Sequence, residues 1–184
     1  MDIKEFKNKL TQSTKQAFIE IQLQHPTEKI YSFALCNNDA TISIHPSANS
    51  TEYLDKFTDD DDFYFYKYEP SEWKFEYKGA ENAFKEINDY CRNIVEQNDD
   101  DEDWFYQFQH QINEKCIEVL EDLKHENFFA ENSENEIFLN FSVIDEDLPK
   151  QKQIEIIQKL NDQSYKDDYF EWMKSWDKNK KRAL

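Results

Sequence analysis

Apolar positions recur at helical spacing through the start of the chain, where Ile3, Phe6, Leu10, Ala17, Phe18 and Ile21 share one stripe. The pattern predicts a helix over residues 2–24, stopped at His25-Pro26 because the residue before proline is driven out of helical backbone. Residues 30–36 (IYSFALC) then read as a mostly buried strand, and Thr41-Ile42-Ser43-Ile44-His45 alternates polar and apolar as a half-exposed strand should. Asn37-Asn38-Asp39 supplies turn chemistry between them, so the two segments are expected to form a hairpin. A short helix is expected over residues 50–57. The aromatic stretch Phe63–Tyr68 suits a central strand. Pro70-Ser71 breaks it, and Trp73, Phe75 and Tyr77 alternate with Lys74, Glu76 and Lys78 as a further strand with one wet face. The first half is therefore expected to be a four-stranded antiparallel meander fronted by a helix.

The period then changes. Ala83, Phe84, Ile87, Tyr90, Cys91, Ile94 and Val95 make one helical stripe; Trp104, Phe108, Ile112, Cys116, Val119, Leu120 and Leu123 make a second. Ile137, Leu139, Phe141 and Val143 alternate as a fifth strand, a helix carrying Ile154, Ile157 and Leu160 follows Pro149, and Tyr165, Tyr169, Trp172, Met173 and Trp176 mark a last amphipathic segment. The expected class is α+β: an antiparallel sheet of about five strands with amphipathic helices packed largely on one side. A single domain over residues 1–177 is expected, followed by a basic, frayed tail at 178–184.

Charge changes this picture more than length does. The formal net charge is −18, yet 16% of residues are aromatic. Disordered acidic chains lack the apolar surface needed to offset the entropy of ordering, so a chain this aromatic is expected to fold and to carry its charge on a defined surface. Two runs concentrate that charge: Asp59-Asp60-Asp61-Asp62 and Asp99-Asp100-Asp101-Glu102-Asp103. The sign opposes binding to phosphate backbones or anionic membranes, and no apolar run is long enough to span a bilayer. No nucleic-acid or membrane partner is therefore expected. Cys36, Cys91 and Cys116 are odd in number and far apart, which reads as reduced thiols in a cytoplasmic protein.

The acid runs invite a metal, but neither carries the glycine a calcium loop needs at its sharp turn, and a solvated loop is the plainer reading. Carboxylates before Trp104 also have a structural use, at the positive end of the helix that follows. His25, His45, His110 and His125 share no zinc spacing with one another or with the cysteines. Asp62 followed by Glu72-Trp73-Lys74 mimics a nuclease metal motif, yet Glu5-Phe6-Lys7 repeats the triplet without context. The single glycine, Gly79, removes every glycine-rich phosphate loop, and no nucleophile elbow is present. No catalytic residue, metal or cofactor is expected. The aromatic clusters read first as packing and second as a recognition face, since Tyr and Trp are favoured interface anchors.

Several segments occur in a familiar order. They are Ile30-Tyr31-Ser32-Phe33-Ala34-Leu35, Pro46-Ser47-Ala48-Asn49-Ser50-Thr51-Glu52-Tyr53-Leu54, Tyr68-Glu69-Pro70-Ser71-Glu72-Trp73-Lys74-Phe75-Glu76 and Ile137–Val143 running into Asp145-Glu146-Asp147. Together they resemble a bacterial family of domains of unknown function, the DUF4303 type, from the first helix to about residue 160. The resemblance carries over no catalytic residues. Small acidic families of this kind recur as immunity or partner proteins beside toxins, an analogy at the level of the family. The function expected is a non-enzymatic acidic binding module, an immunity protein that neutralises a basic partner such as a toxin nuclease domain. Asp59, Asp60, Asp61, Asp62, Trp73, Asp99, Asp100, Asp101, Glu102 and Asp103 are its candidate partner-binding residues. The alternative is a small hydrolase or nucleotide-modifying enzyme whose sheet–helix groove gathers Glu72, His45 or Asp145 with perturbed ionisation.

Overall fold

The computed structural model describes residues 2–98, 100–144 and 148–180, apart from the side chains of 163 and 177–180. Helix α1 (Ile3–Gln24) starts where the Asp2 carboxylate accepts the Glu5 amide at 2.8 Å, and it ends at His25. That cap satisfies one of the donors a helix start leaves orphaned. Strands β1 (Ile30–Asn38), β2 (His45–Ser50) and β3 (Phe138–Ile144) form a mixed sheet in the order β2-β1-β3. β2 runs antiparallel to β1, and β3 runs parallel to it. The other described α-helices are α2 (Thr51–Leu54), α3 (Phe63–Tyr68), α4 (Glu81–Glu96), α5 (Glu102–His125), α6 (Phe128–Glu131), α7 (Lys150–Leu160) and α8 (Gln163–Lys180), with short 3-10 turns at Asp55–Phe57 and Pro70–Glu72.

The class is α+β, but among the described residues the sheet has three strands, one of them parallel, in place of the five antiparallel strands expected. The aromatic run 63–68 is α3, a helix that buries only Tyr68 fully. Nested turns through the acid run, Asp60 N to Phe57 O and Phe63 N to Asp60 O, deliver the chain in helical curvature, which overrides a strand propensity that depends on context. Residues 73–77 lie along β2, with Phe75 N and Tyr77 N bonded to Ala48 O and Pro46 O at 3.0 Å each. No strand results there. Pro46 has no N–H to return a bond, and Tyr77 turns away at φ 58°. The hairpin exists, but its second strand begins at His45, after an irregular stretch with Thr41 at φ 58°.

Helices cover both faces of the sheet, a second departure from expectation. A bulge between Ile30 and Ser32 puts Ile30 in the same cluster as Phe33 and Leu35, where they meet α1, α4 and α5 together with Leu139 and Phe141 of β3. Phe18 stands edge-on to Phe33 at 5.4 Å. On the other face Ala34, Cys36 and Phe138 pack beneath Tyr68, Trp73, Tyr169 and Met173. α7 lies along β3 and feeds both layers, Ile156 and Leu160 to one and Ile157 to the other. α8 continues past Asp177 to Lys180, into the stretch expected to be a frayed tail, while residues 181–184 lie outside the described residues.

Two asparagines act as substitute strand partners. Asn161 accepts the Leu139 amide at 2.8 Å and donates to the Leu139 carbonyl at 2.7 Å, closing the outer edge of β3. Asn88 does the same for Ile44, at 2.7 and 2.9 Å. Asn161 is buried, so Asn161→Ala would strand both backbone groups of Leu139 away from water. A loss of about 2 kcal/mol is expected, read as the change in unfolding free energy from urea titration.

Candidate functional site

All four residues of the first acid run are exposed, as are Asp100, Asp101, Glu102 and Asp103 of the second; Asp99 lies outside the described residues. Among the described residues no ion pair engages either run. Lysines pair elsewhere: Lys7 with Glu118 and Asp122, Lys67 with Asp168, Lys74 with Glu28, Lys152 with Glu114 and Lys159 with Glu121. The charge of the described residues of both runs therefore faces solvent with no ion pair among the described residues.

Their positions differ. The second run opens α5, and Asp101 caps it by accepting the Trp104 amide at 2.9 Å. Farther along α5, Gln109 and Asn113 bond to Asp39 and Asn37 at the carboxyl end of β1. The first run leads into residues held at the other end. Phe57 stacks on Tyr66 at 3.9 Å, the Tyr66 carbonyl accepts from Asn49, and the next carbonyl, of Lys67, accepts from Tyr31. The first run thus precedes residues held near the amino end of β1, and the second precedes residues held at its carboxyl end. Because Asp101 caps the helix, Asp101→Ala is expected to cost about 1 kcal/mol, measured as a fall in thermal midpoint. Trp73 is not at the surface: it is 3% exposed in the second core, its indole N–H donating to the Lys67 carbonyl at 3.2 Å.

Exposed aromatic surface follows each run. Tyr64 and Phe65 are each 41% exposed directly after Asp59–Asp62, and Tyr106 is 57% exposed after the second run. Phe65 also walls a cavity of about 480 Å³ between α3 and the carboxyl half of β3, shared with Glu69, Asn140, Ser142 and Tyr169. Lys67 and the Tyr68 hydroxyl both reach the Asp168 carboxylate, which pins α3 to α8 and fixes that wall. The pairing with Lys67 and Tyr68 holds the Asp168 carboxyl below its usual range despite the opposing effect of burial. Neither Glu69 nor Asp168 carries a distinguishing sequence signal; Glu69 stands out only as part of the Tyr68-Glu69-Pro70-Ser71 element.

A second cavity, of about 510 Å³, lies between α4 and the segment 42–46 and includes His45 in its lining. The His45 Nδ1 faces the Ser43 carbonyl at 2.9 Å, so Nδ1 carries the proton and Nε2 the lone pair. Nε2 is buried without a hydrogen bond, 3.5 Å from a Glu76 carboxylate oxygen, and the ring stacks on Tyr77 at 3.5 Å. Burial pushes the His45 pKa down to about 4 and the Glu76 pKa up. Nε2 is therefore neutral but only weakly basic, and it is buried away from the cavity surface. Glu72 does not line this cavity, and Asp145 lies outside the described residues. The cysteines offer no nucleophile either, because burial raises all three thiols, Cys91 to about 12. Among the described residues no three His, Cys, Asp or Glu side chains converge as metal ligands, and no helix is long and apolar enough to cross a membrane.

The domain of unknown function DUF4303 matches residues 10–162. The chain belongs to this family. No curated protein and no solved structure matches it. The DUF4303 span contains the sheet, the first acid run, Glu69 and the whole second cavity, whereas α8, with Tyr169, follows it.

Proposed function

We propose that this DUF4303 domain is a non-enzymatic, cytoplasmic binding module that captures a basic protein, as an immunity protein captures a toxin. The observation carrying this reading is the continuity of Asp59–Asp62, exposed and unpaired, with exposed Tyr64 and Phe65 and with the cavity that Phe65 walls. Carboxylates in that state attract a cationic surface from beyond contact distance and raise the association rate, while aromatic side chains at the contact supply affinity. The docking face is thus the α3 side of the sheet, with the second run a helix start that adds to the general field. Buried, protonated thiols support a reducing compartment.

The test mixes the chain with each protein encoded beside its gene and follows association by stopped flow. A basic protein is expected to bind with a rate that falls at least about tenfold as salt rises from low to high ionic strength. Replacing Asp59–Asp62 with asparagine should lower the low-salt rate several-fold and leave dissociation nearly unchanged. Association that ignores both salt and this replacement would remove the proposal.

A further inference from the structure

The α3–β3 cavity has a charge pattern its size does not require. Among the described residues lining it, Glu69 alone carries charge; the rest are polar, such as Ser71, Asn140 and Ser142, or apolar. The second cavity differs, with Lys85 and Arg92 balanced against Glu81 and Asp89 on its lining. Glu69 is placed by the end of α3, where its amide closes on the Phe65 carbonyl at 2.9 Å, and its carboxylate lies 3.5 Å from the Ser142 hydroxyl of β3. Its negative charge is felt inside the fold: after burial, it is the next cause holding the Cys36 thiol and the Tyr169 phenol protonated. Phe65 offers a half-open ring at the mouth, and Tyr169 is buried alongside.

We infer that this cavity is the receptor for one arginine side chain of the basic partner, its guanidinium set against the Glu69 carboxylate and stacked on Phe65. This rests on the binding function proposed above and names its anchor. Three features select arginine. The acid run just upstream of Phe65 draws a cation to the mouth, and no lining cation opposes its entry. The lining offers the Glu69 carboxylate and the Ser142 hydroxyl to a planar fork of five donors, while the Asn140 side-chain oxygen already accepts the Phe141 amide at 2.8 Å. An aromatic ring accepts the face of that fork, which a lysine ammonium cannot present. At about 480 Å³ the cavity has room for an extended side chain with water around it.

The probe is the pentapeptide acetyl-Lys-Val-Arg-Val-Lys-amide, with a second peptide carrying the uncharged isostere citrulline in place of arginine, and with free arginine amide. Binding is read from backbone-amide shifts in a two-dimensional NMR titration at low salt. The arginine peptide is expected to shift the amides of Glu69, Asn140 and Ser142 and to bind about tenfold or more tighter than the citrulline peptide. Glu69→Gln, checked for native spectra, should abolish that difference while leaving citrulline-peptide binding unchanged. Phe65→Ala, at a position 41% exposed and likewise checked for native spectra, should weaken the arginine peptide more than a third peptide with lysine at the central position. Equal binding of the arginine and citrulline peptides, or shifts confined to other surfaces, would overturn the assignment. So would free arginine amide binding as tightly as the peptide, since the ligand would then be a small guanidino compound. If replacing Asp59–Asp62 weakens the peptide and Glu69→Gln does not, the binding function stands and the arginine pocket falls; if neither replacement matters, both fall.

Discussion

Gly79→Ala is expected to destabilise the fold by about 4 kcal/mol, lowering the thermal midpoint by roughly 10 °C. Gly79 is the only glycine in the chain and adopts φ 85°, a region where a side chain is strained. A Cβ there would lie 2.7 Å from the Ala17 carbonyl oxygen and 2.8 Å from the Ala17 Cα. Both are backbone atoms in the middle of α1, so no rotamer change relieves the clash. The contact is also fixed from both sides: Ala17 is fully buried, and the next amide, of Ala80, donates to Glu20 of α1 at 2.7 Å. Relief requires α4 to move off α1, which opens the first core at Phe84 and Ile87. Urea and thermal unfolding of the variant beside Lys78→Ala, an exposed neighbour, make the measurement. A loss under about 1 kcal/mol would show that the turn does not pack on α1 as described.

Helices were readable because their signals are local. The stripes at Ile3–Ile21, Ala83–Val95 and Trp104–Leu123 each fall on a helix, and the cap at Asp101 lies within the carboxylates expected to start α5. The sheet was not, since the deciding interactions lie outside each segment. Trp73 and Phe75 are buried, but in different cores, and Tyr77 is 48% exposed, so the alternation is not the one-sided burial of a strand; a ladder also needs a donor on the neighbour, and Pro46 lacks one. Parallel pairing of β3 with β1 joins segments about a hundred residues apart in sequence, and no turn chemistry fixes such a register. Phe63–Tyr68 misled because aromatic residues favour any half-buried surface, and here that surface is a short helix locked by Tyr68 and Lys67 onto Asp168.

The candidate site divides in the same way. Acid runs announce themselves in sequence, and their exposure follows from the cost of taking unpaired carboxylates out of water. Which end of the sheet the residues after each run reach depends on partners far along the chain, Asn49 and Tyr31 for one and Asp39 and Asn37 for the other. Tryptophan is a favoured interface anchor, but the Trp73 indole N–H donates to the Lys67 carbonyl and the ring lies inside. Glu69 is one of 40 acids, and only the folded cavity sets it apart from the rest.

Acid is expected to weaken the fold through His45 by about 3 kcal/mol between pH 7 and pH 4. Burial lowers this imidazole from 6.5 to about 4, so between those values the unfolded chain binds a proton that the folded chain refuses. Stability from this group is complete above pH 6.5 and is lost as pH falls toward 4. Three groups face the ring: the Ser43 carbonyl, the Tyr77 ring and the Glu76 carboxyl. Only Glu76 titrates in the same range, and it acts in the opposite sense. Its pKa is raised in the fold, so falling pH protonates it more readily there than in the unfolded chain and returns part of the loss. The 40 acidic residues add a background of their own, because neutralising them relieves self-repulsion. The His45 contribution must therefore be isolated by difference. Unfolding free energies of the native chain minus those of His45→Asn, compared at pH 7, 5.5 and 4, should shift against the native chain by about 3 kcal/mol. The Glu76 titration is common to both chains and cancels in this difference; in a Glu76→Gln background the shift should be as large or larger, because no carboxylate 3.5 Å from the ring remains to pair with an imidazolium. A difference that does not change with pH would mean that His45 is open to solvent, and the cavity between α4 and residues 42–46 would then be wider than described.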